Sequence, residues 1–148
     1  MKFKPPPQFD QGLFLDLDDQ PYEASLVGQM IPQPDVIVDG NTCKLDALLG
    51  NGFALIAQDQ AGADAIAGLS TDRLAGLPLA RIVLATGESL QSGLPVAIPT
   101  DTRSKPLRTH RDQLLLMRPD RYCAAAFAPD EMDTALGAFE KLLGLPWR

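Results

Sequence analysis

The sequence predicts a mixed α/β domain, a central sheet with helices against it, preceded by an extended proline-rich arm. Three observations predict it. Phe53-Ala54-Leu55-Ile56-Ala57 and Arg81-Ile82-Val83-Leu84-Ala85-Thr86 contain short apolar runs without the alternation of a strand that has a wet face, which is how strands buried on both sides read. Gln113-Leu114-Leu115-Leu116-Met117-Arg118 and Tyr122-Cys123-Ala124-Ala125-Ala126-Phe127 flank Pro119-Asp120, a hairpin with proline at the second turn position. Met132, Ala135, Leu136, Phe139, Leu142 and Leu143 recur with helical spacing over 130–143.

The remaining elements follow in chain order. Residues 1–34 read as an arm. Pro5-Pro6-Pro7 favours polyproline geometry, Leu13-Phe14-Leu15-Asp16-Leu17 suits a short strand that stops at Asp18-Asp19, and Pro32-Gln33-Pro34 fixes another extended stretch. The arm has too few apolar residues to offset its own ordering entropy, so it needs a surface to lie against. The domain proper is expected over 35–148. Val36-Ile37-Val38 runs as a strand into a turn at Asp39-Gly40-Asn41. Leu45, Leu48 and Leu49 make one or two helical turns ended by Gly50. Residues 62–77 are weakly helical, with Ala65, Ile66, Leu69, Leu74 and Leu77 as core contacts. Residues 87–112 lack a pattern, because Pro95, Pro99 and Pro106 preclude a long regular element. Pro129 with Asp130-Glu131 suits the start of the last helix, and Gly144 with Pro146 its stop. From residue 53 the order is strand, helix, strand, irregular crossover, strand, turn, strand, helix. The first two strands are expected to be parallel neighbours and the hairpin antiparallel. This is the order of the thioredoxin-like fold, with one helix reduced to loop.

Composition narrows the function. The chain has 148 residues, 45% of them hydrophobic and 22% charged, values of a globular domain and not of a coiled coil or a disordered chain. No apolar run reaches the ~20 residues of a membrane helix, and no apolar segment follows Met1-Lys2-Phe3-Lys4 as a secretory signal would require. The net charge of −6 argues against nucleic-acid and anionic-membrane partners. Residues 1–60 carry nine acids against three bases, whereas 61–148 carry ten of each. Two cysteines far apart and no signal point to a reducing, cytoplasmic setting.

The chemistry-bearing residues are few. A redox protein of this fold keeps Cys-x-x-Cys after the first buried strand, at a helix start. Here that place reads Gln58-Asp59-Gln60-Ala61-Gly62-Ala63-Asp64, without sulfur. Cys123 lies in a strand and reads as a structural thiol. Cys43, beside Lys44 in a polar turn, reads as an incidental surface thiol. His110 is the only histidine and sits in a basic stretch formed by Arg103, Lys105, Arg108, Arg111, Arg118 and Arg121. A zinc site or a Ser-His-Asp triad has almost no material to draw on. Gly50-Asn51-Gly52 is a helix stop and not a dinucleotide loop, since a strand follows it. Asp18-Asp19 and Asp130-Glu131 read as a solvated arm and a helix start. No catalytic, cofactor-binding or metal-binding residue is assigned.

Four stretches together resemble one family. They are Lys4-Pro5-Pro6-Pro7 with Gly12, then Leu26-Val27-Gly28-Gln29-Met30-Ile31-Pro32-Gln33-Pro34, then Leu45-Asp46-Ala47-Leu48-Leu49-Gly50-Asn51-Gly52-Phe53-Ala54-Leu55, and last Leu116-Met117-Arg118-Pro119-Asp120-Arg121-Tyr122. In this order and spacing the chain is similar to the C-terminal region of class A flavoprotein aromatic hydroxylases, the 3-(3-hydroxyphenyl)propionate and phenol hydroxylase group. The resemblance implies a thioredoxin-like domain without redox cysteines, used for subunit contacts or stability. It also implies that FAD, NAD(P)H and the phenol belong to N-terminal domains that this chain lacks, so none of the family's catalytic residues carries over. The expected function is that of a non-catalytic accessory or dimerisation domain, as a fragment or a separate subunit, with flavoprotein hydroxylase domains or another copy of itself as partner. The alternative is an independent small-molecule binder or enzyme whose site is lined by His110, Tyr122 and the arginines of 103–121.

Overall fold

The computed structural model describes residues 15–16, 33–69, 73–74, 76–85, 90–100 and 112–142. Its elements are β1 (Leu15–Asp16), β2 (Asp35–Val38), β3 (Asn41–Lys44), α1 (Leu45–Leu49), β4 (Phe53–Ala57), α2 (Gln60–Ala67), β5 (Arg73–Leu74), β6 (Leu77–Leu84), β7 (Val96–Pro99), β8 (Leu114–Met117), β9 (Cys123–Phe127), a 3-10 turn (Pro129–Glu131) and α3 (Met132–Leu142). The strands form one mixed sheet in the order β1-β9-β8-β4-β6-β7-β2-β3, with β5 beside β6. As expected, β4 and β6 are parallel neighbours and β8–β9 is an antiparallel hairpin. Of the arm, only Leu15–Asp16 and the prolyl end at 33–34 lie within the described residues, and β1 pairs in parallel with β9.

The apolar runs explain the layering. Along β4, Phe53, Leu55 and Ala57 face one core while Ala54 and Ile56 face another, and β8 divides Leu114 and Leu116 from Leu115 and Met117 in the same way. Every position of both strands is buried, because a central strand has no wet face to give polar residues. The first core is closed by α2 and α3 through Ala63, Ile66, Ala135, Leu136 and Phe139. Phe139 meets Phe53 edge to face with ring centroids 5.6 Å apart. The second core holds Leu45 and Leu49 of α1 and Val36 of β2. On β9 the alternation slips. Leu116 pairs with Ala125 and Met117 with Cys123, leaving Ala124 as the extra residue of a bulge. Ala124 and Ala125 therefore both enter the first core, and Cys123 turns to the second.

Several elements depart from the sequence expectation. The helix expected over 62–77 ends at Ala67, where Gly68 caps it with its N–H on Asp64 O at 3.2 Å. Leu74 is core, but as a strand residue. It pairs with Leu77, which opens β6 and is 42% exposed instead of buried. Gly76 at φ 82° supplies the left-handed position of that turn. β6 thus starts four residues before the expected Arg81. β3 and β7 arise where a turn and an unpatterned loop were expected. Asp39 at φ 53° and Gly40 at φ 81° form the left-handed pair of a tight hairpin turn that sends the chain back as β3, placing Cys43 in a strand. Val96–Pro99 is short enough to hold two prolines at its margins and still pair with β6 and β2. Leu143 and the stop signals at Gly144 and Pro146 lie outside the described residues, as do Pro106 and most of 101–111.

Gly52 shows how closely β4 approaches its neighbour. A Cβ built there falls 2.2 Å from Pro78 O, a backbone atom with no room to move. At Gly76 a Cβ meets nothing within 4 Å and only φ is at stake. Gly52→Ala is expected to lose about 3 kcal/mol by overpacking and Gly76→Ala about 1 kcal/mol by backbone strain, as read from guanidinium unfolding midpoints. Equal losses would contradict the close approach.

Candidate functional site

The place where a redox protein of this fold carries its thiol is the start of α2. Three side chains organise it. Asp59, extended at φ −133°, caps the helix by accepting from Gly62 N at 2.7 Å. Gln58 is buried, 1% exposed, at the end of β4. Gln60 donates through Nε2 to Asp64 Oδ1 at 2.9 Å and to Gln91 O at 2.8 Å, and its Oε1 accepts from Gln91 N at 3.2 Å. The amide of Gln60 thereby imitates a strand neighbour for residue 91 and ties the crossover segment to the helix start. At the other end of α2, Arg81 reaches out of β6 and donates from Nη1 to Ile66 O at 3.3 Å and Leu69 O at 3.0 Å, satisfying carbonyls that the helix leaves unpaired. The arrangement holds a loop and two helix ends. It contains acceptors, donors and no nucleophile.

The two thiols lie elsewhere. Cys123 is fully buried with Sγ 3.3 Å from Ala125 O, and Cys43 is half-buried against the second core. Both are free. Among the described residues no three His, Cys, Asp or Glu side chains gather as a metal site would need. Gly50-Asn51-Gly52 is the helix stop expected of it, with Gly50 capping α1 at φ 72°. Glu131 accepts from Ala128 N at 3.1 Å, the helix-start role expected of Asp130-Glu131. His110, Asp18-Asp19 and the basic residues Arg103, Lys105, Arg108 and Arg111 lie outside the described residues.

The described part of the basic stretch is a clasp. Arg121 N bonds Arg118 O at 2.9 Å, closing the turn with Pro119 at its second position. Asp120 holds that turn by accepting from Arg118 Nη2 at 2.5 Å and from Tyr122 N at 3.3 Å, and the Arg118 guanidinium stands 5.9 Å from the centre of the Tyr122 ring. Arg121 then crosses to α1. Its Nε meets Asp46 Oδ1 at 2.5 Å, and its Nη2 donates to Gly50 O at 2.7 Å and Asp46 O at 3.3 Å. Arg121 adopts φ 74° to do so, a conformation disfavoured for a side chain with Cβ. Of the residues expected to line a small-molecule site, Arg118, Arg121 and Tyr122 come together here, with the arginines paired to Asp120 and Asp46. Sequence reading missed Asp46, Gln60, Gln91 and Arg81. The one available signal was Arg81, a charge inside an otherwise apolar strand.

Two tests follow from this geometry. A thiol reagent is expected to titrate one cysteine, Cys43, in the native protein and both in guanidinium; two fast native thiols would contradict the burial of Cys123. Arg121→Ala is expected to cost about 2 kcal/mol, since it removes charge-assisted bonds to carbonyls, and Arg121→Gly about 1 kcal/mol less because glycine accepts the positive φ. A double-mutant cycle with the exposed Asp46 should return a coupling below about 1 kcal/mol.

Known proteins bear on the same features. The 3-(3-hydroxy-phenyl)propionate/3-hydroxycinnamic acid hydroxylase of Klebsiella pneumoniae (strain 342) is 29% identical over 98% of this chain, and its Escherichia coli (strain K12) counterpart 28%. The chain spans only 27% of the length of these relatives. Among solved structures, aklavinone-11 hydroxylase in complex with FAD and aklavinone superposes with a TM-score of 0.61 at 22% identity, over 90% of this chain and 25% of that one. Peroxidoxin BcpB from Mycobacterium tuberculosis superposes with a TM-score of 0.54 at 12% identity, over 80% of this chain and 97% of that one. These likenesses establish the thioredoxin-like fold that the strand order predicts. Residues 28–142, which hold both halves of the Asp46–Arg121 clasp, match the family described as the HcaD C-terminal domain, and the chain belongs to that family.

Proposed function

We propose that this chain is a non-catalytic accessory domain of a flavin-dependent aromatic hydroxylase. Its partner is the flavoprotein portion that binds FAD and NAD(P)H, either in the same polypeptide or as a separate subunit in the cytoplasm, and it associates with another copy of itself in the assembled enzyme. The observation that carries the reading is the start of α2. Where the fold offers a reactive thiol, this chain places an Asp cap and a Gln60–Gln91 tie. A site so rebuilt serves the domain's shape and not turnover. Membership of the HcaD C-terminal domain family, and relatives of which the chain makes up 27%, support attachment to a larger hydroxylase.

The test pairs this chain with a 3-(3-hydroxyphenyl)propionate hydroxylase from which the matching quarter has been deleted. The chain is expected to co-elute with the yellow flavoprotein, to protect residues 1–34 from protease in the complex, and to raise the flavoprotein's melting temperature by several degrees. Separate elution with unchanged cleavage would sink the proposal. Reduction of insulin disulfides by the chain alone would restore a redox reading in its place.

A further inference from the structure

The outer edge of β9 carries an inference that rests on the self-association part of this reading and gives it a route. β9 reads Cys123-Ala124-Ala125-Ala126-Phe127, without charge or proline, and every residue is at most 3% exposed. Such an edge, left open, presents unpaired backbone N–H and C=O groups to any extended chain. Its partner here is β1, in the register Leu15↔Ala125 and Asp16↔Ala126, a parallel pairing held by backbone. β1 ends the sheet on one side, whereas β2, the next strand in sequence, stands six places away near the other side. At ~4.8 Å per strand that separation is about 29 Å. The intervening residues, 17–32, must carry the chain across one of two sheet faces. Both faces are occupied, one by α2 and α3 and the other by α1. The root of the arm is fixed as well. Pro34 O accepts from Leu45 N at 2.9 Å beside α1, and Pro32 and Pro34 impose extended geometry at that exit.

We infer that the β9 edge is a strand-docking site whose occupant is the Leu15–Asp16 segment of a second copy, so that two chains exchange arms. Exchange keeps the register of every β1–β9 pair and removes the traverse of a covered face. A reciprocal pair closes with two-fold symmetry and leaves no edge unfilled. Recognition is by backbone hydrogen bonding, the mode in which an added strand extends a sheet.

The experiment uses the full chain with both native thiols replaced by alanine and the pair Leu15→Cys and Ala125→Cys introduced. Oxidation at about 100 µM is expected to give mainly a disulfide-linked dimer on a non-reducing gel, shifting toward monomer when the protein is diluted before oxidation. A cross-linked monomer at every concentration, or no cross-link, overturns arm exchange. A second measurement guards against a poorly folded variant. Leu15→Pro alone, which removes a ladder donor from β1, is expected to weaken the dimer at least about tenfold in sedimentation velocity. A dimer that survives Leu15→Pro overturns arm exchange and leaves self-association standing. A wild-type chain that stays monomeric at the highest concentration overturns both, while docking to the flavoprotein is still decided separately by co-elution.

Discussion

Burial of β4 on both faces is the constraint from which the other elements follow. Its five residues have no wet side, so the sheet needs a core above and a core below. The flanking strands β6 and β8 inherit the same demand and carry apolar residues at both parities. Small residues then appear where large ones must reach across. Three alanines on β9 leave space for Phe127, Phe53 and Phe139 in the first core. Gly52 has no side chain because Pro78 already occupies the position a Cβ would take. The bulge at Ala124 adjusts parity so that Cys123 and Ala126 serve the second core while their neighbours serve the first.

What the sequence made legible was what burial writes strongly. The runs at 53–57 and 114–117, the hairpin around Pro119 and the spacing of Met132, Ala135, Leu136 and Phe139 were all readable, because complete burial or one-sided burial leaves a periodic trace. β3 left none. Its residues Asn41-Thr42-Cys43-Lys44 are mostly exposed and exist as a strand because a tight turn returns them against β2. β7 was hidden by prolines that edge positions tolerate. The helix over 62–77 was overextended because Leu74 and Leu77 continue an apolar spacing that Gly68 had already interrupted. The site was harder still. Its organising contacts, Gln60 to Gln91 and Arg121 to Asp46, join residues 31 and 75 positions apart, and no local pattern reports a partner at that distance.

The stretches that carry the family resemblance prove to be mechanical parts of one assembly. Leu45–Leu55 supplies α1, its glycine stop and β4, and Leu116–Tyr122 supplies the turn that fastens onto α1 through Arg121. Each stretch is short and common in isolation. Their joint occurrence is specific because either one without the other leaves Gly50 O or the Arg121 guanidinium without its partner. A family signature of this kind records how the domain holds itself together, which suits a domain whose work is contact and support.

The two ends of α2 have an electrostatic consequence. A helix concentrates partial positive charge at its start and partial negative charge at its finish, and thiol chemistry in this fold draws on the positive end. Here the carboxylate of Asp59 stands at the start and the guanidinium of Arg81 at the finish, so the macrodipole is compensated at both poles from outside its own turns. The field that would stabilise a thiolate is already spent on a fixed carboxylate. Installing a Cys-x-x-Cys pair at this helix start would therefore supply sulfur without the potential that makes it reactive.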